Sequence, residues 1–258
     1  MGDVSRRGFE AFALSILGAF RVFGSAARYA VYVNTLSVDE VKRRTLPLGH
    51  ELEEQLEWHD ATGEMPGWLR ERFEGDHLAE GVGWKLAPVR AFPDLYELSL
   101  DNDVVLWDLP EAISEWLSGR GSLVSEDAFS CFGRFEEGAG REPANLGLRG
   151  LPPESEFEQN LRAVLCESGH LIGDANDEQG LQLAAIRRGG EPLRVRLDEV
   201  TICSPFPPHV QRLGRSGAHF VGLNTHLPWE YYGRPADLVR AEHWDGVAEE
   251  VRRRVLGG

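Results

Sequence analysis

Strand-like and helix-like segments alternate along this chain, with no internal repeat and no break in composition between them. Phe9, Phe12, Ala13, Ile16, Leu17 and Phe20 recur at three- and four-residue steps, which predicts an amphipathic helix ending near Gly24. Tyr29 to Asn34 (YAVYVN) is a short β-rich run, and Ser37 opens a helix through Arg44 with Glu40 placed for a capping box. Leu52 to Trp58 reads as a further helix inside a polar stretch. Tyr96 to Leu106 reads as a strand interrupted by acids, and Asp108, Pro110 and Glu111 start a helix that stops at Gly119. RFEEGAGREPA (134–144) reads as a mobile loop. Glu156 to Glu167 and Asp177 to Arg188 are helical, Leu193 to Cys203 and Ala218 to Asn224 are strand-like, and Pro235 to Leu256 is helical. Such alternation predicts one α/β domain over residues 1–258 with a mostly parallel sheet. In sheets of that kind ligands bind at the carboxyl ends of strands, so those ends are where chemistry is sought.

Charge narrows the ligands. The formal net charge is −15, and lysine occurs only at Lys42 and Lys85. That surface repels phosphate backbones and anionic lipid, which argues against nucleic-acid and membrane partners. An anionic substrate then has to be held by local cations or by a metal. Cys131, Cys166 and Cys203 are far apart and form no C-x-x-C, the pattern of reduced thiols in a cytoplasmic protein. Phe9 to Phe23 is apolar but broken by Glu10 and Arg21, so neither a signal peptide nor a transmembrane segment is expected.

The acidic break at Asp101 and Asp103 is the first candidate site. Side chains alternate faces along a strand, so Tyr96, Leu98 and Leu100 would share one face and Glu97, Ser99, Asp101 and Asp103 the other. Two carboxylates projecting together repel unless a cation neutralises them. Mg²⁺ or Mn²⁺ does so with oxygen ligands and keeps positions for substrate phosphates. The plain alternative is that D-N-D is a turn. His219, in AHFVGLN, is either a satisfied core residue or a third ligand to the same ion, for which neutral imidazole suits Mn²⁺. His226 is a rival, and His209, in a proline-rich segment, reads as a surface residue. No G-x-S-x-G elbow surrounds Ser204, so ICSPF reads as a strand stopped by Pro205 rather than as a hydrolase nucleophile.

A strand ending in D-x-D, followed late by HFVGLNTHLPW, resembles the glycosyltransferases of the glycogenin and bacterial lipooligosaccharide galactosyltransferase type, which share the GT-A fold, a single Rossmann-like domain. Their late motif is H-x-x-G-x-x-K-P-W. His219 and Gly222 match its start and Pro228 with Trp229 its end, with two residues inserted and Leu227 where the family has lysine. Lys85 in GWKLAPVR, Asn145 and Gly147 in ANLGLRGLPP, and Asp177, Glu178 and Gln179 look like further family segments in the same order. The resemblance implies that Asp101, Asp103 and His219 hold Mn²⁺ or Mg²⁺, with Asn102 inside that motif. It implies that the ion clamps the diphosphate of a nucleotide-sugar donor. Lys85, Asn102, Asn145, Gly147 and Gly222 would bind the donor or an unknown acceptor, and Asp177 and Gln179 would serve catalysis. Arg212, Arg215 or Arg234 would replace the absent lysine, since guanidinium binds phosphate bidentately. The family begins with a strand ahead of the first helix, whereas Met1 to Gly8 (MGDVSRRG) is not strand-like, so that strand is expected upstream of the sequence in hand.

Two other function classes compete. A non-catalytic binding protein of the same fold would tolerate the lost lysine. A sugar nucleotidyltransferase also uses carboxylates and Mg²⁺ on an α/β sheet, but it carries a glycine-rich phosphate loop that is not evident here.

Overall fold

The computed structural model describes residues 5–45, 48, 50–79, 82–224 and 226–257. It divides into two compact units. The first is made of three stretches, residues 1–60, 100–110 and 196–258, and the second of residues 61–99 and 111–195. Both mix helices with sheets of parallel and antiparallel strands, the α/β class expected, although the sheets are less uniformly parallel than the alternation predicts.

In the first unit the helix Arg6–Phe23 starts where the Ser5 hydroxyl accepts the Gly8 amide at 3.1 Å and stops at Gly24, whose φ of 61° suits glycine. Its apolar face packs on two sides. Phe9, Phe12 and Ile16 join Val31, Val33, Val41 and Leu56 in one cluster, while Ala11 and Leu14 join Val105, Ala218, Phe220 and Trp244 in another. This helix is long and apolar enough to cross a membrane by length and composition; here its buried residues run from Gly8 to Gly18 within the unit's core. The long helix Ala236–Leu256 is tied to it by Trp244 and Arg252, which donate to the Glu10 carboxylate at 3.1 and 2.7 Å, and by an Arg7–Asp245 pair at 2.6 Å.

The strand Gly217–His219 is central in a three-stranded sheet, antiparallel to Val104–Leu106 and parallel to Val200–Ile202. Tyr29–Val33 pairs in parallel with Leu56–Asp60. The predicted helix at Leu52 to Trp58 is therefore half right: His50–Gln55 is helical, and LEWHD is a strand. Ser37 caps the helix Val38–Arg44 by accepting the Glu40 amide at 3.2 Å, while the Glu40 carboxylate pairs with Arg43 instead of returning to the cap.

In the second unit the strands Glu97–Leu100, Ala144–Leu151, Leu123–Glu126 and Leu193–Val195 form one sheet in that order. The helices Phe157–Ser168 and Ala175–Arg188 bury Phe157, Leu161, Leu165, Leu181 and Ile186 in a core with Val124, Ala144 and Leu146. Asp174 caps the second of these helices, accepting the amides of Asn176 and Asp177. The loop predicted at 134–144 holds a turn of 3₁₀ helix at Gly133–Phe135 and a helical turn at Glu136–Ala139.

Two predicted strands are each two. Tyr96 to Leu106 divides at Asp101, and Leu193 to Cys203 divides at Arg196, where the amides of Glu199 and Val200 return to the Arg196 carbonyl. In both cases a charged segment turns the chain from one sheet to another.

Two outcomes follow from this packing. A methyl carbon at Gly18 would lie 2.0 Å from the Leu106 carbonyl oxygen, backbone against backbone, where neither side can yield. Gly18→Ala should lower stability by about 1–3 kcal/mol, read as a lower urea midpoint with an unchanged slope. Burial pushes the Cys203 thiol up to about 12, whereas Cys166 is exposed. Iodoacetamide at about pH 8 should modify Cys166 in the native protein and spare Cys203 until the chain is unfolded, as peptide masses would report.

Candidate metal centre and the amide cluster of the second unit

After Leu100 the chain does not stay extended. Asp101 to Asp103 form a turn closed by the Val104 amide on the Asp101 carbonyl at 3.0 Å, and the strand Val104–Leu106 follows. The carboxylates therefore converge because the chain turns, which corrects the expectation that they share the face of one strand. His219 is set opposite this turn by register. It pairs with Val104 on one side and Ile202 on the other, and the Phe220 amide reaches the Asp103 carbonyl at 2.9 Å.

The imidazole Nε2 lies 3.3 Å from Asp103 Oδ1 and 3.9 Å from Asp101 Oδ2. One ligand atom from each of the three residues lies within 4.8 Å of the others. An octahedral ion with ligands at about 2.1 Å sets neighbouring ligands about 3 Å apart and opposite ones about 4 Å apart, so three such atoms need only small movements to share one ion. Two carboxylates and one imidazole are the donor set of a hard or borderline divalent cation. The His219 and Asp103 side chains are 4% and 8% exposed and that of Asp101 is 22% exposed, so the cluster opens to solvent at Asp101.

The turn carrying the two acids is braced. The Asn102 amide oxygen accepts from Asn224 Nδ2 at 3.1 Å, joining the acidic turn to the turn that follows His219. In that second turn Gly222 has a φ of 70°, and its carbonyl accepts a hydrogen bond from Arg240 Nη1. Arg240 reaches back from the C-terminal helix. Burial lowers its pKa, while the charges of Asp237 and Asp103 oppose that shift. A guanidinium stays cationic through such shifts. Sequence reasoning did not single out Arg240, one of four arginines on the predicted C-terminal helix.

The other predicted residues of this unit lie elsewhere. His226 is an exposed partner of Asp237 at 2.5 Å, and Asp237 also accepts the Leu227 amide at 2.7 Å. That backbone hydrogen bond, followed by His226, holds the Asp237 carboxyl below its usual range. Arg215 pairs with Asp198 at 3.3 Å and Arg234 with Glu242 at 2.6 Å, both on exposed surface, and Arg212 is exposed. Cys203 Sγ lies 3.8 Å from His243 Nε2, but burial raises the thiol and lowers the imidazole, the opposite of an activated nucleophile.

In the second unit Asn145, Gly147 and Gln179 come together around an irregularity. The pairing of Leu123–Glu126 with Ala144–Leu151 shifts register between Val124 and Ser125. The bulge turns two amides away from the ladder, and side chains collect them: Asn145 Oδ1 accepts from Gly147 at 2.9 Å and Gln179 Oε1 from Leu146 at 3.3 Å. Asn145 Nδ2 donates to Asp127 Oδ2 at 3.1 Å, and Gln179 Nε2 to the Cys131 carbonyl at 3.1 Å. Asp127 was not singled out in the sequence. Buried Asp177 accepts from the amides of Arg134 at 2.7 Å and Gly173 at 2.8 Å, so it ties two loops. Glu178 is buried too, in a chain with Gln182 and Arg149. Lys85 is exposed in the 3₁₀ helix Val82–Leu86.

No family model matches the sequence, and no curated protein matches it. Solved structures do. The chain is similar to the galactosyltransferase LgtC, solved in complex with donor and acceptor sugar analogues, at 14% identity and a TM-score of 0.56 over 94% of this chain and 92% of that one. It is also similar to WbbM, a bifunctional glycosyltransferase solved in its apo form, at 13% identity and a TM-score of 0.52. That likeness takes in 98% of this chain but 50% of the WbbM chain, so this chain spans half the length of that relative. Through these likenesses the α/β fold of the chain is identified as the GT-A fold of glycosyltransferases.

Proposed function

We propose that this chain is a metal-dependent glycosyltransferase that moves a sugar from a nucleotide-diphosphate donor to an acceptor. The observation that carries the reading is the convergence of Asp101, Asp103 and His219 on one side of a buried strand end, in a fold shared with LgtC. The three side chains would hold Mn²⁺ or Mg²⁺. The ion, when bound, supplies Lewis-acid stabilisation of the charge that develops on the leaving diphosphate.

The chain's own residues do the rest of the work in this reading. The turn Asp101–Asp103 would present its two carboxylates to the ion beside His219, and Asn102 holds that turn to the loop after His219. Asn145, Gln179 and Asp127 form a rigid amide and carboxylate group of the kind that orients sugar hydroxyls. Asp177, proposed from the sequence as catalytic, supports this reading as a positioning residue, because its carboxylate is engaged by two backbone amides.

Calorimetric titration with Mn²⁺, and then with UDP and GDP in the presence and absence of Mn²⁺, tests the proposal. The wild-type chain should bind Mn²⁺ and should bind one nucleotide only when the ion is present. Asp103→Asn should weaken Mn²⁺ by about a hundredfold or more, since even outer-sphere partners of a metal cost 10–100-fold, and should abolish sugar transfer while leaving the circular dichroism spectrum unchanged. Unaltered transfer in Asp103→Asn would refute the metal role. Metal-dependent nucleotide binding without transfer to any acceptor would identify a non-catalytic binding protein instead.

A further inference from the structure

A short hairpin ahead of the C-terminal helix holds an exposed ring on strained backbone. Glu230–Tyr231 and Arg234–Pro235 pair antiparallel with Tyr231 opposite Arg234, so the turn between them is Tyr232 and Gly233 alone. Both residues have positive φ, 49° and 75°, the pattern of a type I′ turn. Asparagine or glycine adopts the first of those positions readily, whereas a bulky side chain there is strained. Burial does not offset the strain, because Tyr232 is 90% exposed. Strain retained at an exposed side chain points to a contact with something outside the chain.

Tyr232 is one of a group. Its ring meets that of Tyr231 at 4.6 Å between centroids, Tyr231 meets Phe206 at 5.2 Å, and Phe206 meets Trp229 at 4.7 Å, all edge to face. Trp229 is 43% exposed, and Tyr231 and Phe206 are half-buried. The group is anchored at two points. The Ala236 amide donates to the Trp229 carbonyl at 3.0 Å, and the Arg240 guanidinium lies over the Phe206 ring at 5.6 Å while it donates to the Gly222 carbonyl. The rings therefore adjoin the turn that follows His219.

The chemistry of this surface selects its ligand. Aromatic rings are negative on their faces. C–H groups made slightly positive by neighbouring oxygens lie well on such faces, and a sugar ring carries several of them on one side with hydroxyls round its edge. Polar partners for that edge are in place: Glu230 lies between Trp229 and Tyr231 in the strand, and exposed Arg234, paired with Glu242 at 2.6 Å, is opposite Tyr231. A protein partner would meet these charges among the rings, whereas the centres of protein interfaces are depleted of charge. Nucleobases also stack on aromatic rings, but a net charge of −15 opposes their phosphate backbone.

We infer that Phe206, Trp229, Tyr231 and Tyr232 form a carbohydrate-binding platform outside the metal centre, which holds a neutral acceptor glycan with Tyr232 as its outermost contact. The inference rests on the glycosyltransferase reading for the need of an acceptor; the contact with sugar itself requires neither metal nor donor.

Lactose, cellobiose and maltose are the probes, titrated in the presence of EDTA and followed by saturation-transfer NMR, which marks the ligand protons that lie against the protein. The wild type should transfer saturation to the ring C–H protons of at least one of them. For that sugar Tyr232→Asn and Trp229→Ala should each weaken binding by about threefold or more, the scale of one aromatic contact. Asparagine suits the turn, so the urea midpoint of Tyr232→Asn should equal or exceed that of the wild type, and lost binding in that variant is then not lost fold. Absence of transfer to all of the sugars overturns the inference, as does equal affinity in wild type and Tyr232→Asn. Concentration-dependent self-association of the wild type that Tyr232→Asn abolishes also overturns it, making the rings an interface between two copies of this chain. The titration contains no metal, so failure of the metal-centre reading would leave its outcome unchanged.

Discussion

A turn and a strand of the first unit bring the Asp101 and Asp103 carboxylates to the buried His219 imidazole, and several contacts of that unit fix their positions. The turn between Leu100 and Val104 brings Asp101 and Asp103 round to the same side. The register of Gly217–His219 between its two neighbours leaves His219 no freedom to withdraw. Asn102 and Asn224 tie the two turns, and Arg240 offers a partial counter-charge from a third segment. In the function proposed above, a divalent cation would join the two carboxylates and the imidazole at this strand end.

The second unit deals with polar groups in the opposite way. Around the bulge in Ala144–Leu151 the acceptors Asn145 Oδ1 and Gln179 Oε1 each meet a backbone donor, and Asp177 meets two. Such matched groups rigidify a site and set its shape before any ligand arrives. The first unit has a surplus of acceptors suited to a cation, and the second has a frame suited to fixed geometry.

Much of this was legible from residue order. The helices beginning after Ser5, Ser37 and Asp174 and the long C-terminal helix follow caps and apolar periodicity that local chemistry dictates. Asp101, Asp103 and His219 could be paired from their positions at strand ends and their donor chemistry, although a turn rather than a strand face unites them. What was not legible depends on tertiary context. LEWHD lacks the β-branched residues that signal a strand and forms one because Tyr29–Val33 offers an edge. Leu193 to Cys203 alternates cleanly, yet the turn at Arg196 sends its halves to different sheets. Arg240 lies 137 residues after Asp103, and nothing in a single helix pattern connects them.

The first unit is discontinuous, and its closing contacts are late in the sequence. Glu10 is bound by Trp244 and Arg252, and Arg7 by Asp245, partners more than 230 residues away. During synthesis the stretch 111–195 of the second unit emerges whole well before these partners exist. Chains fold as their segments become available from the N-terminus onward. The first helix therefore emerges before Trp244, Asp245 and Arg252, which complete its contacts, and the cluster of Asp101, Asp103 and His219 can close only after residue 219 has been made.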